Sequence, residues 1–436
     1  MRITMDPVAG NEDLPSRSDV IVIGGGIIGV STALFLAERG VSVTLCEKGI
    51  IGAEQSGRNW GWCRTMGRDA AEIPLTVESL KLWRRMNEIT GLETGFRERG
   101  TLYLLDGEKA LASYESWMEH ARDHALSARF IEGAEITNLL PGLAKPWKRG
   151  LYTPTDGTAE PFKATPAMAR AAQKKGAVIL QHCAVRGIET EGGAISGVVT
   201  ERGAIRCGAV VLAGGAWSRL FAGNMGLNFP TLPVINTVMR TAPDESLPDL
   251  AVGGPDFAFR RRLDGGYSVA IRNDNLAPLT LDSFRLFFDF LPTALKSMHE
   301  YRLGLTPYFF EDWKRARRWE NDEITPFELV RTLDPKPVKR DLKNAWANTV
   351  KAYPGFGKLK PVQSWAGLID ATPDAVPVIS EVPNRPNFYI ASGFSGHGFG
   401  TGPGAGHLMA DIVTGAAPIV DPTPFRLTRF RGQSKG

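Results

Sequence analysis

Gly24-x-Gly26-x-x-Gly29 stands between the apolar run Val20-Ile21-Val22-Ile23 and a helix-patterned stretch from Ile27 to Arg39. That context constrains the fold more than any other feature of the chain. A continuous apolar tetrapeptide suits a strand buried on both faces. Gly40 ends the helix, and Val41 to Glu47 reads as a second strand rich in β-branched residues. The two strands and the helix form a βαβ unit of about thirty residues, the start of a parallel sheet. The first glycine permits the tight turn, the second lets backbone approach a diphosphate, and the third lets helix pack close to strand. The helix N-terminus at Ile27 and Ile28 then offers N–H groups and a positive dipole to an anion. Glu47, eighteen residues after Gly29, is placed to accept hydrogen bonds from ribose hydroxyls, with Lys48 beside it. The unit predicts a dinucleotide ligand.

Two more glycine turns follow late strands. Leu212-Ala213-Gly214-Gly215-Ala216-Trp217-Ser218 succeeds the run Val210–Ala213. The loop Ser392–Gly404 succeeds a strand at Asn387–Ala391 and runs into a helix read as Pro403–Val413. Three separated backbone loops suit a long ligand lying extended through the protein, which favours FAD over a nicotinamide cofactor. Elsewhere Ile73–Ile89 and Gly107–Ala125 carry helical spacing, and Val178–Ile188 and Gly197–Thr200 read as strands joined through Gly192-Gly193. Pro230 to Arg272 is mostly β, and Phe284 to Lys343 is richer in helical spacing and charge. The chain is therefore divided into a discontinuous cofactor domain (15–95, 150–228 and 355–430) and a substrate domain (96–149 and 229–354). The second carries a helical insertion near 284–350.

Composition narrows the function classes. A net charge of +4 over 436 residues, with both signs interspersed, argues against a nucleic-acid partner. The cysteines Cys46, Cys63, Cys183 and Cys207 have no CxxC spacing and no histidine cluster near them, so reduced thiols are expected rather than disulfides or zinc. No run of eighteen apolar residues exists, and the polar first nineteen residues lack the apolar centre of a secretory signal. The expectation is a cytoplasmic protein, with neither a metal cluster nor a Ser/His/Asp arrangement.

From Asp19 to Val413 the residues resemble the D-amino-acid oxidase, glycine oxidase and sarcosine oxidase family of flavoenzymes. The most specific parts are Gly24–Gly29 with Glu47, Gln55-Ser56-Gly57-Arg58-Asn59, Val211–Ser218, and Gly393-Phe394-Ser395-Gly396-His397-Gly398-Phe399-Gly400. The match is weak over Phe284–Lys360. The resemblance implies an α/β plus α+β architecture: a Rossmann-type FAD-binding domain of the glutathione-reductase-like kind with a second, antiparallel-β substrate domain. It implies removal of a hydride from a small amine or amino acid, a D-amino acid, secondary amine or imino acid, with the imine then hydrolysing. By the same resemblance Ser56, Arg58, Asn59 and Trp60 border the flavin, and Val185 makes a backbone contact to the adenine. Ala213, Gly214 and Trp217 supply the second turn, and Gly393, Gly396, His397, Gly398, Phe399, Gly400 and Thr401 run beside the flavin pyrimidine. Two departures matter. Gly367 stands where sarcosine oxidases attach flavin through a cysteine, shortly before Thr372-Pro373-Asp374, so noncovalent FAD is expected. Gly400 stands where those enzymes carry a lysine, so their substrate recognition does not transfer.

The catalytic candidates are His397, Arg58 and Arg272. A guanidinium fork at Arg58 would offset negative charge on phosphate or reduced flavin. The glycine neighbours of His397 favour a positioning or flavin-contact role over proton transfer. Substrate contacts are sought at Trp62, Arg64, Arg260, Arg272 and Ser395, because a carboxylate calls for an arginine and the tryptophans could wall a pocket. The aromatic run Phe284–Leu291 is read as a covered core helix, with a membrane surface, a quinone or a partner subunit as the alternative. Oxygen, a quinone or a carrier protein are the acceptors considered. Rival readings are a hydroxy-acid or glycerol-3-phosphate type flavin dehydrogenase, a flavin subunit of a heteromeric dehydrogenase, and an NAD-dependent dehydrogenase.

Overall fold

The computed structural model describes residues 3–244, 246–297 and 301–430. The elements that build the site are β1 (Val20–Ile23), α1 (Ile27–Glu38), β2 (Val43–Cys46), α2 (Ile73–Thr90), β3 (Ala209–Leu212), β4 (Leu232–Thr241), β5 (Pro361–Ala371), β6 (Phe388–Ser392) and α3 (Gly398–Thr414). A six-stranded sheet runs in the order Val378–Glu381, β6, β3, β1, β2, Val178–Leu180. All its neighbours are parallel except the edge pair Val378–Glu381 with β6. Strands β1, β2, β3 and β6 are buried at every position, as continuous apolar runs between helices require. Helix α1 is buried from Ile27 to Ala37. It packs on α3 so closely that a Cβ at Gly406 would lie 2.4 Å from Ser31 Cβ.

A second, ten-stranded sheet carries the β-rich middle of the chain. Strand β5 pairs antiparallel with β4 from Leu232 opposite Ala371 to Thr241 opposite Pro361. Its hydrogen bonds therefore place it in the large sheet, although its sequence position groups it with the cofactor segments. The C-terminal end of β5 leads back to the first sheet, where Asp370 Oδ2 accepts a 2.6 Å hydrogen bond from Gly393 N just after β6.

Three expectations change. The stretch Val178–Ile188 is not one strand. Val178–Leu180 joins β2, the chain hooks through His182 at φ +50°, and Val185–Glu191 opens a three-stranded antiparallel sheet. The hook forms around Glu47, whose N–H donates to Leu180 O while its carbonyl accepts from Cys183 N. Helix α3 begins at Gly398, five residues before Pro403, which lies inside it. Proline leaves a gap in the helical ladder, and α2 braces the groups on either side of it: Gly400 O accepts from Ser79 Oγ (2.7 Å) and Trp83 Nε1 (2.9 Å), while Gly404 N donates to Ser79 Oγ (3.1 Å). Finally, the Phe284–Leu291 run is not a covered core helix. It spans two short helices, Leu281–Arg285 and Phe287–Ser297, and Phe284, Phe287 and Phe288 are 67%, 53% and 79% exposed. Among the described residues no helix is long and apolar enough to cross a membrane, and the four cysteines are free and buried.

Candidate active site

The turn after β1 is shaped by steric necessity. Gly24 has φ +111°, and a Cβ there would meet Ala213 O at 2.5 Å, so the first and second glycine turns touch. A Cβ at Gly29 would stand 2.0 Å from Gly24 O. The N-terminus of α1 has no acidic residue in its first turn, and Ile27 N donates to Ser56 Oγ at 2.8 Å. That end suits an anion. Glu47 accepts from Gly25 N (2.6 Å) and Gly49 N (2.7 Å), one bond to each carboxylate oxygen, leaving lone pairs for hydroxyl donors. Burial raises its pKa, against Lys48 and those two N–H groups.

These loops open onto one cleft, lined by Gly24–Ile28, Glu47, Lys48, Ser56, Asn59, Val185, Ala213, Gly214, Trp217, Gly396, Gly398 and Phe399. Segments distant in the chain thus converge on one elongated space. Two carboxyl-bearing residues there, the half-buried Glu54 and the buried Asp370, carry no motif in the sequence. Glu54 accepts from Lys48 Nζ (2.6 Å), Trp217 Nε1 (2.9 Å) and Leu333 N (2.8 Å), holding the indole of the second turn in place. Asp370 lies at the end of the cleft, and burial pushes its pKa up to about 6 against the Gly393 N–H. Neither belongs to a motif; only the folded register brings them in.

Other expected residues lie elsewhere. Arg58 does not line the cleft. It is 5% exposed, and its fork donates to Ala53 O (2.9 Å), Ala366 O (2.9 Å) and Asp334 Oδ1 (2.5 Å), which ties the Gln55–Arg58 turn to β5. Its charge is thereby spent on the scaffold, which corrects the catalytic role read from sequence. Arg260 is also corrected. It is 1% exposed and donates to Glu160 Oε1 (2.7 Å) and Trp60 O (2.5 Å), while Arg262 Nη2 stands 3.3 Å from the same carboxylate. The Ser395 hydroxyl accepts from Thr372 N at 3.1 Å, which makes it a brace of its own loop rather than a substrate contact. Trp60 Nε1 donates to Asn236 Oδ1 (2.7 Å), and Thr401 Oγ1 to His397 O (3.1 Å). A Cβ at Gly367 would fall 2.0 Å from Gln55 Oε1, so a side chain there, a cysteine included, requires the Gln55 amide to move aside. Gly393 has φ +79° and presents its N–H to Asp370.

The remaining candidates meet beyond the cleft. A Cβ at Gly400 would touch Trp62 O at 3.0 Å, so the Trp62–Cys63 strand runs along the start of α3. Trp62 packs edge-on to Trp60 (5.4 Å between centroids) and tilted against Tyr103 (6.1 Å). The Arg64 guanidinium lies 5.9 Å from the Trp62 centroid and 5.6 Å from that of Tyr103. Arg272 stacks on Tyr103 at 4.0 Å and donates to Tyr114 OH (2.8 Å) and Gly254 O (2.9 Å). His397 is not among the residues lining the cleft; its Nδ1 lies 2.9 Å from Glu72 Oε2, and Arg68 and Arg64 are the cations that act on its ring.

A parallel sheet with a glycine-lined dinucleotide cleft, joined to a large β-sheet bearing an arginine–aromatic cluster, defines an FAD-binding oxidoreductase. The chain belongs to the FAD dependent oxidoreductase (DAO) family, whose profile matches residues 19–412. It is an FAD-dependent enzyme with that family's fold. Among solved structures it is similar to the L-amino acid deaminase from Proteus myxofaciens in complex with anthranilate, with 39% identity and a TM-score of 0.95 over 99% of this chain and 97% of that one. It is also similar to the sarcosine oxidase subunit beta of Rhodobacter capsulatus, 25% identical over 95% of this chain and 89% of the relative. The glycine oxidase of Pseudomonas aeruginosa is 26% identical over 93% of this chain and 97% of its own.

Proposed function

We propose that the chain oxidises the C–N bond of a small amino acid or amine. FAD would be held noncovalently in the cleft, its adenosine by Glu47 and Val185 and its flavin by the Gly396–Thr401 loop. Bound FAD supplies the acceptor for the hydride. The chain's own residues do the rest: the N-terminus of α3 faces the flavin end with N–H groups that favour negative charge there. Arg272 receives the substrate carboxylate, its planar fork already oriented by Tyr103 and Tyr114. Trp60 and Trp62 cover the apolar part of the substrate and exclude water. The imine hydrolyses once released. The observation that carries this reading is the run of contacts Arg272–Tyr103–Trp62–Gly400, which links the arginine–aromatic cluster to the start of α3. The substrates that the relatives' names carry, sarcosine, glycine and L-amino acids, are of the same chemical kind.

Anaerobic mixing of the yellow protein with amino acids, secondary amines and 2-hydroxy acids tests it. Amino acids or amines should bleach the flavin band near ~450 nm. Bleaching by hydroxy acids alone would overturn it. Arg272→Leu should raise KM at least about tenfold, by loss of a charge-assisted pair worth ~1.5–3 kcal/mol.

A further inference from the structure

Glu72 precedes α2 and is 0% exposed, yet it belongs to none of the motifs above. One of its oxygens meets His397 Nδ1 at 2.9 Å, and the other, Oε1, has no hydrogen-bond partner among the described residues. Beside it Arg68 is 4% exposed, with Nη1 likewise unpartnered. Buried polar groups left unpaired cost stability, and their retention calls for a role. His397 occupies the residue before α3, between the cleft-lining Gly396 and Gly398, within reach of the Arg64 and Arg68 charges and with its side chain 23% exposed. A neutral imidazole facing a carboxylate through Nδ1 must carry its single proton there. That leaves Nε2 as a bare acceptor.

We propose that Glu72 and His397 form a dyad in which His397 Nε2 takes a proton from the substrate ammonium while Glu72 holds the ring. This rests on the amino-acid reading above, since an ammonium has no free lone pair to assist departure of hydride from the adjacent carbon. In the step one N–H bond of the ammonium breaks, its electron pair stays on nitrogen, and the proton forms an N–H bond at Nε2. The imidazolium so formed stands against the Glu72 carboxylate and returns its proton to water after product leaves. Glu72 is a positioning residue, acting through His397.

The surroundings suit that cycle. Burial and then Arg68 lower the His397 pKa, with Arg64 adding to the effect and Glu72 opposing it, so the ring rests neutral and ready to accept. Against the upward push of burial, His397 and Arg68 hold the Glu72 pKa down, so the partner rests ionised. These are the charged groups facing the ring: Arg64 and Arg68 from the loop after Trp62–Cys63, and Glu72 from the start of α2. The first turn of α3 adds no acidic side chain.

Flavin-loaded protein labelled with ¹⁵N-histidine, which has six histidines to resolve, tests the dyad without turnover. His397 should be neutral and Nδ1-protonated at pH 7, and Glu72→Gln should lower its pKa. In turnover, Glu72→Gln should cut kcat/KM about 10²-fold, the scale of general-base help, and move the acid limb of its pH profile to lower pH. Glu72→Asp, which keeps the charge, should leave that limb near its original place and serves if the Gln variant fails to fold. An Nε2-protonated ring, or unchanged pH profiles in both variants, would overturn the dyad while leaving amino-acid oxidation standing. Wild-type flavin that no amino acid reduces sinks both.

Discussion

Arg260 and Arg272 show what a single residue's neighbourhood decides. Both sit in the β-rich region and both looked able to bind a carboxylate. The first is matched inside the fold by Glu160, a residue 100 positions away, and no local pattern reveals such a partner. The second is held against aromatic rings at the edge of the cluster. Against the upward push of burial, Arg260 and Arg262 hold the Glu160 pKa at about 2. A depressed acid contributes stability above its unfolded pKa, so this contribution is present above pH ~4.5 and is lost as pH falls toward 2. Glu160→Gln, which takes the carboxylate from the buried Arg260 guanidinium and leaves Arg262 only Asp264, should cost about 3–5 kcal/mol in denaturant unfolding at pH 7. A loss under 1 kcal/mol would show that the pair is better hydrated than its burial implies. Asp370 has the opposite sign. Its pKa is raised to about 6 by burial, so stability falls as pH rises from ~4, where the unfolded carboxyl ionises, and the loss is complete above about 6. Asp370→Asn should stabilise the flavin-free chain by up to about 3 kcal/mol at pH 8, and the gain should vanish below pH 4. A pH-independent difference in Tm would refute that titration.

Among the elements, β1, α1 and β2 were legible because their apolar runs and glycines are short-range signals. The start of α3 was not. Pro403 resembles a first-turn proline, but Ser79 and Trp83 of α2 brace Gly400 O and Gly404 N on either side of it, and the helix extends back to Gly398. Those side chains lie more than three hundred residues away in sequence, and no local reading supplies them. The same shift brings His397 to the helix end, where its ring faces Glu72. Packing is also where glycine matters most. In Gly29→Ala the new methyl must displace Gly24 O from 2.0 Å, opening the turn that receives the diphosphate. Purified variant should carry little FAD, read as the ratio of absorbance near ~450 nm to that at 280 nm. A fully yellow variant would mean that the turn is not the diphosphate cradle.

At the scale of the whole molecule, the parallel sheet gathers loops from the beginning, middle and end of the chain around one cleft, which glycine spacing foreshadowed. The burial of the Phe284–Leu291 run was misjudged, because an apolar pattern records that a face avoids water and not what covers it. Replacing Phe284, Phe287 and Phe288 with serine should leave flavin content and amino-acid bleaching unchanged. Loss of flavin or of bleaching in that variant would show that the face is covered in the folded chain. The account as a whole turns on where one flavin lies relative to the arginine–aromatic cluster. A crystal structure of the flavin-loaded chain soaked with benzoate decides it. Density should show the flavin ring beside Gly396–Thr401, with the carboxylate paired to Arg272. A ring at the Glu47 end, or benzoate bound away from Arg272, would contradict it.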